Sequence, residues 1–188
     1  VDLLDGEADD LELKIPKGKC IQKNYVGGHL ANYDSLLVLS HFKGHPMGGY
    51  GGALKQLSIG IASAHGKAYI HGAGNPAKIW SSELNASLQS MADAAASVVE
   101  YFHGNAVYIN VMKNMSVDCD CCAVAEDPCM KDIGILASLD PVAVDQACVD
   151  AVYNSPDPGK AALIERMESL NGIHTVEAAA ELGLGVRE

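Results

Sequence analysis

Leu36-Leu37-Val38-Leu39 is an unbroken apolar run, and the chain passes from it into a loop holding four glycines in five positions, Gly48-Gly49-Tyr50-Gly51-Gly52. A short continuous apolar run is the pattern of a strand covered on both faces. The segment after the loop, 53 to 62, has the composition of a short buried helix. A buried strand, a glycine-rich loop and a helix in that order form the edge of an α/β sheet where ligands bind. Glycines let backbone N–H groups approach an anion or a flat cofactor, and the helix start adds partial positive charge.

The rest of the chain fits the same architecture. Leu11, Leu13 and Ile15 alternate with Glu12 and Lys14, which predicts a half-buried strand, with a turn at 16 to 19 and a returning strand over 20 to 26. Leu84, Leu88, Met91, Ala95, Val98, Val99 and Phe102 recur at steps of three and four, so 82 to 103 is predicted as an amphipathic helix. Ser81 or Ser82 is its expected cap and Gly104 its stop. Strands are expected at 106 to 112 and 133 to 137. Asp140-Pro141 then opens a helix to about Tyr153, and two more helices follow near 160 to 170 and 175 to 182. The expectation is an α/β fold, a layered sheet with helices on both faces. Residues 1–188 read as a single domain. The absence of an initiator methionine and the start in mid-pattern suggest the C-terminal part of a larger α/β protein.

The net charge of -11 argues against nucleic acid and anionic membrane surfaces as partners, because both are bound through basic patches. No run approaches the roughly 18 apolar residues of a membrane span. The acidic start has neither the basic nor the apolar region of a signal peptide, so a cytoplasmic location and a small-molecule ligand are expected.

Two clusters carry chemistry. The first is the loop, where His41, Lys43, His45 and Lys55 flank the glycines. Histidine suits metal binding and proton transfer near neutral pH. The plainer reading is a flexible turn with solvated side chains. The pattern is neither a Walker loop, lacking Gly-Lys-Ser/Thr, nor a dinucleotide fingerprint. The second cluster is Cys119-Asp120-Cys121-Cys122 with Cys129 downstream, four of the six cysteines. Next-but-one cysteines do not readily bond to each other, and without an export signal reduced thiols are expected. Cys-x-Cys sets two sulfurs on one side of an extended segment, able to grip a soft metal or an iron-sulfur cluster. The plainer reading is small buried hydrophobes with one reactive thiol. His29, His65, His103 and His174 read as surface or helix-end residues.

The segments Leu39-Ser40-His41-Phe42-Lys43-Gly44-His45, Gly49-Tyr50-Gly51-Gly52-Ala53-Leu54-Lys55 and the run from Ile135 to Asp145 closely resemble the domain of unknown function 362 family, over about Ala31 to Tyr153. Asp118-Cys119-Asp120-Cys121 matches as well. Members are often labelled iron-sulfur centre proteins and often carry a ferredoxin module after the position of His71. Here 72 to 81 contains no cysteine. More distantly, His45, Gly49-Tyr50-Gly51-Gly52, Lys55 and His71 are similar in spacing to the nickel-pincer lactate racemase family. Gly51 stands where that family has serine, and Ala53 where it has glycine. The resemblances imply a metal-centre protein, as a metal-dependent enzyme acting on a small organic acid or, alternatively, as an iron-sulfur electron-transfer protein. They imply His41, His45 and Lys55 as catalytic residues. Gly49, Gly51, Gly52 and Lys55 would line a cofactor, and His71, Cys119 and Cys121 would be ligands of an iron-sulfur or nickel-type metal centre.

Overall fold

The computed structural model describes residues 10–119, 121, 124 and 126–188. Strands β1 (Asp10–Lys14) and β2 (Lys23–Gly27) form an antiparallel ribbon, with Asp10 opposite Gly27. Strand β3 (Leu36–His41) is followed at once by a small hairpin, β4 (Lys43–His45) and β5 (Gly49–Gly51). Then come a single turn α1 (Ala53–Lys55), a π turn (Gln56–Gly60), α2 (Ala64–His71) and the long α3 (Leu84–Tyr101). Strand β6 (Ala106–Met112) returns parallel to β3, with Leu36 opposite Ala106. Strand β7 (Gly134–Ser138) adds antiparallel to β6, giving the order β3-β6-β7. Helices α4 (Pro141–Asn154), α5 (Lys160–Ser169) and α6 (Ile173–Glu181) complete the chain. The fold is α/β, and the three expected core strands share one sheet.

One local expectation changes. Helix α3 is capped by Glu83, whose carboxylate accepts from the backbone N–H groups of Asn85 and Ala86. Ser82 instead donates to the carbonyl of His71 and tethers the end of α2. Helix α4 starts as expected, with Asp140 accepting from Val142 and Ala143 and proline at the first position. A cap of this kind contributes about 1 kcal/mol.

The layering also differs from the expectation. Side chains alternate along a strand, and Val38, Tyr108 and Met112 fall on the covered face, where they join Val142, Cys148 and Val149 of α4 in the main core. Helix α4 lies directly on β6 and β7, whereas α3 packs chiefly on α6, the π turn and α2. The opposite face carries Leu37, Leu39, Val107 and Ile135, which are 63%, 62%, 40% and 69% exposed. Among the described residues, then, the helices cover one face of this sheet. The apolar runs recorded two buried-type faces, and only one is covered here. No helix is long and apolar enough to cross a membrane among the described residues.

Candidate functional site

The β4–β5 hairpin has two faces with opposite characters. Register sets Lys43 opposite Gly51, Gly44 opposite Tyr50 and His45 opposite Gly49. Because directly opposed residues share a face, Lys43 and His45 project together and meet only glycines across the strand pair. Tyr50 projects the other way.

On the Tyr50 face sits Asp145 of α4, fully buried. Its carboxylate accepts from Tyr50 Oη at 3.0 Å, from the backbone N–H groups of Ala53 at 2.8 Å and Leu54 at 3.0 Å, and from Asn110 Nδ2 at 2.7 Å. Gly52 offers no side chain to cap α1, so a carboxylate 93 positions downstream does so. Burial pushes the Asp145 carboxyl above its usual range, opposed by the hydrogen bonds from Asn110, Leu54, Ala53 and Tyr50. One acid ties together β5, α1, β6 and α4.

On the other face stand Lys43 and His45, both buried. His45 Nδ1 accepts from the backbone N–H groups of Met47 at 3.1 Å and Gly48 at 3.2 Å. A ring nitrogen that accepts two N–H groups carries no proton, so the neutral ring is protonated on Nε2. Burial, and then the charges of Lys55, His71, Lys43 and Arg166, hold His45 down to about 3. His71, the last residue of α2, is held down to about 4 by burial and by Lys55. Both imidazoles are neutral at physiological pH. Lys55 is lowered from the ordinary lysine range, first by burial. The Cys119 and Cys121 sulfurs favour its charged form, and Lys43 and Lys67 oppose it. Lys55 is the hub of this group, within electrostatic reach of Lys43, His45, His71 and Cys119. Arg166 of α5 joins them while paired with Asp118 at 3.0 Å.

The cysteines meet this group of side chains through Cys119. Cys20, Cys119, Cys121, Cys129 and Cys148 are free thiols. Cys119 is buried, and its sulfur accepts from Cys121 Sγ at 2.7 Å and Cys121 N at 3.5 Å. Burial raises the Cys119 thiol, but the Cys121 hydrogen bonds and the charges of Lys43 and Lys55 bring the net below its ordinary value. Asp120 and Cys122 lie outside the described residues. Among the described residues no three His, Cys, Asp or Glu side chains are grouped so as to hold a metal ion.

The structure therefore brings His45, Lys55, His71, Cys119 and Cys121 to one region and leaves His41 elsewhere. His41 follows Leu37 and Leu39 on the open face of the sheet, and its Nε2 donates to the carbonyl of Lys113 at 2.7 Å. The glycines have reasons of their own. Gly49 has φ of +78° and a Cβ there would lie 2.7 Å from Gly172 Cα. A Cβ on Gly52 would lie 2.6 Å from Asp145 Oδ1. Gly51 instead faces the lysines, where a Cβ would meet Lys55 Cδ at 3.6 Å and Lys43 Nζ at 3.7 Å. Lys43 was visible in the loop but not singled out as a site residue, and its alternation with His45 was the available signal. Asp145 carried no such signal, because its partners are remote in sequence.

Residues 1–150 match the family model described as "Domain of unknown function (DUF362)". No curated protein and no solved structure matches the chain.

Proposed function

The chain belongs to the DUF362 family, and from that premise we propose that its hairpin pocket binds a small organic acid and moves a proton on it. The observation that carries this reading is the concentration of cationic and N–H donor groups at the β4–β5 face. Buried Lys43, half-buried Lys55 and a buried imidazole pinned with its proton on Nε2 share one region, in a chain of net charge -11. A carboxylate is the complementary group, since it has only acceptors.

In this reading Lys43 and Lys55 supply the field for the carboxylate, and Nε2 of His45 donates a neutral hydrogen bond to a second oxygen. His45 is then a polarising donor, because its only lone pair is spent on the Met47 and Gly48 N–H groups. His71, neutral and held down to about 4, is the proton acceptor. His45, expected among the catalytic residues, thereby takes the polarising role and His71 the basic one. The calorimetric test titrates the full chain with a panel of short carboxylates and hydroxy acids. Binding is expected for at least one, weakened at least about tenfold in Lys55→Met, a loss of one charged hydrogen bond. Absence of any binding, or equal binding by Lys55→Met, would remove the proposal.

A further inference from the structure

Next-but-one cysteines do not readily bond to each other, but Cys121 lies in a turn that brings its sulfur back to Cys119. The two sulfurs are 2.7 Å apart. A disulfide needs about 2.05 Å, so roughly 0.7 Å remains to be closed. Two thiolates on one tetrahedral metal at about 2.3 Å stand roughly 3.7 Å apart, so the pair would have to open by about 1 Å for that role. The approach is nearer to bond formation than to chelation.

The surroundings hold this approach in place. Ser116 Oγ donates to the carbonyl of Asp118 at 2.7 Å, and Arg166 holds the Asp118 carboxylate, fixing the chain just before Cys119. Downstream, Cys129 is pinned by its N–H on the carbonyl of Met115 at 2.8 Å and by its thiol on the same oxygen at 3.2 Å. Cys148 is buried beneath Asn110 and pushed up to about 12, out of reach of thiolate chemistry. The two members of the pair also differ. Cys121 is exposed, whereas Cys119 is 5% exposed and faces Lys43 and Lys55. Exposure decides which sulfur a bulky disulfide reaches first, and the Cys121 hydrogen bond with the nearby lysines favours the thiolate of Cys119 for the second step.

We propose that Cys119 and Cys121 form a reversible dithiol–disulfide couple that exchanges with a small-molecule disulfide. The Cys121 thiolate attacks one sulfur of the disulfide, forming a mixed disulfide and expelling one thiolate. Cys119, as thiolate, then attacks the Cys121 sulfur, forming the internal bond and expelling the second thiolate. The two protons lost by the protein are taken up by the two released thiolates, and the protein's two-electron oxidation matches reduction of the disulfide to two thiols. Oxidation also removes the sulfur charge that faces Lys55. The couple is independent of the organic-acid reading, since it stands on the sulfur geometry.

The test treats the reduced full chain with oxidised glutathione, quenches with acid, alkylates and maps the cysteine peptides by mass spectrometry. Wild type is expected to give the Cys119–Cys121 bond in at least about tenfold excess over glutathione adduct on Cys121, because the resolving step is intramolecular. Cys119→Ser should retain glutathione on Cys121, while Cys122→Ser and Cys129→Ser should behave as wild type. A persistent adduct on wild-type Cys121, an internal bond that uses Cys122 or Cys129, or no reaction at the pair would each overturn the proposal. The wild-type map alone decides the matter if a variant fails to fold.

Discussion

The two faces of the β4–β5 hairpin solve the burial of charge in opposite ways. Asp145 brings one negative group to a place where four donors converge, and every donor is supplied by the fold itself. Lys43, His45 and Lys55 bring like-signed or neutral donors together on the other face, and burial works against the charge of Lys55. Satisfied polar groups specify a structure, and imperfectly compensated ones cost stability. The contrast separates what builds the site from what the site is for.

The sharpest way to break this comparison is Asp145→Ala. It strands the N–H groups of Ala53 and Leu54, the Asn110 amide and the Tyr50 hydroxyl, and a loss of about 3–5 kcal/mol is expected in denaturant unfolding. A loss below about 1 kcal/mol would mean that the carboxylate is not the keystone described here.

Acid should act through the other face. His45 and His71 are held at about 3 and about 4, against 6.5 for an ordinary histidine. The unfolded chain therefore binds more protons than the folded one below 6.5, and stability falls as pH drops from there through 4 towards 3. The expected slope is about 1.4 kcal/mol per pH unit for each histidine. Unfolding curves of His45→Asn should lose roughly one proton's worth of that slope. An unchanged slope would show that His45 is not the group concerned.

Neighbouring glycines sharpen the comparison at smaller scale. Gly52→Ala drives a methyl into the Asp145 carboxylate and should cost about 1–3 kcal/mol. Gly51→Ala makes only ordinary contacts with Lys43 and Lys55, so its unfolding midpoint should move by less than about 0.5 kcal/mol equivalent while ligand binding weakens. Equal destabilisation by both would erase the distinction between the faces. The smallest effect is expected for Lys55→Met, neutral or up to about 1 kcal/mol more stable, as removal of a desolvated charge from a functional pocket often gives. A clear destabilisation by thermal unfolding would make Lys55 a structural residue.

Much of this arrangement was legible in the chain because it rests on local rules. A continuous apolar run placed β3, period-two alternation placed β1 and period-3.6 recurrence placed α3, while Asp140-Pro141 marked the start of α4. The spacing of His45, Lys55 and His71 pointed to residues that do share a region. The readings that changed depend on who meets whom across the fold. His41 was grouped with His45 by proximity in sequence, although its alternation with Leu37 and Leu39 puts it on the open sheet face. Gly52 looked like a cofactor cradle because nothing local announces that Asp145 fills the space. The turn at Cys121 was not legible either, because Cys-x-Cys spacing does not state whether the segment is extended.

The parallel pairing of β3 with β6 has a kinetic consequence. Leu36 meets Ala106, so the sheet forms only after a loop of about 70 residues has closed, and that closure entropy is lost before the strand contacts compensate for it. Lys43, His45, Lys55 and His71 all lie inside this loop. A ligand of the pocket then has nothing to hold until the late, non-local step is complete. It should leave the refolding rate untouched and slow unfolding instead, lengthening the lifetime of the native state without guiding the chain towards it.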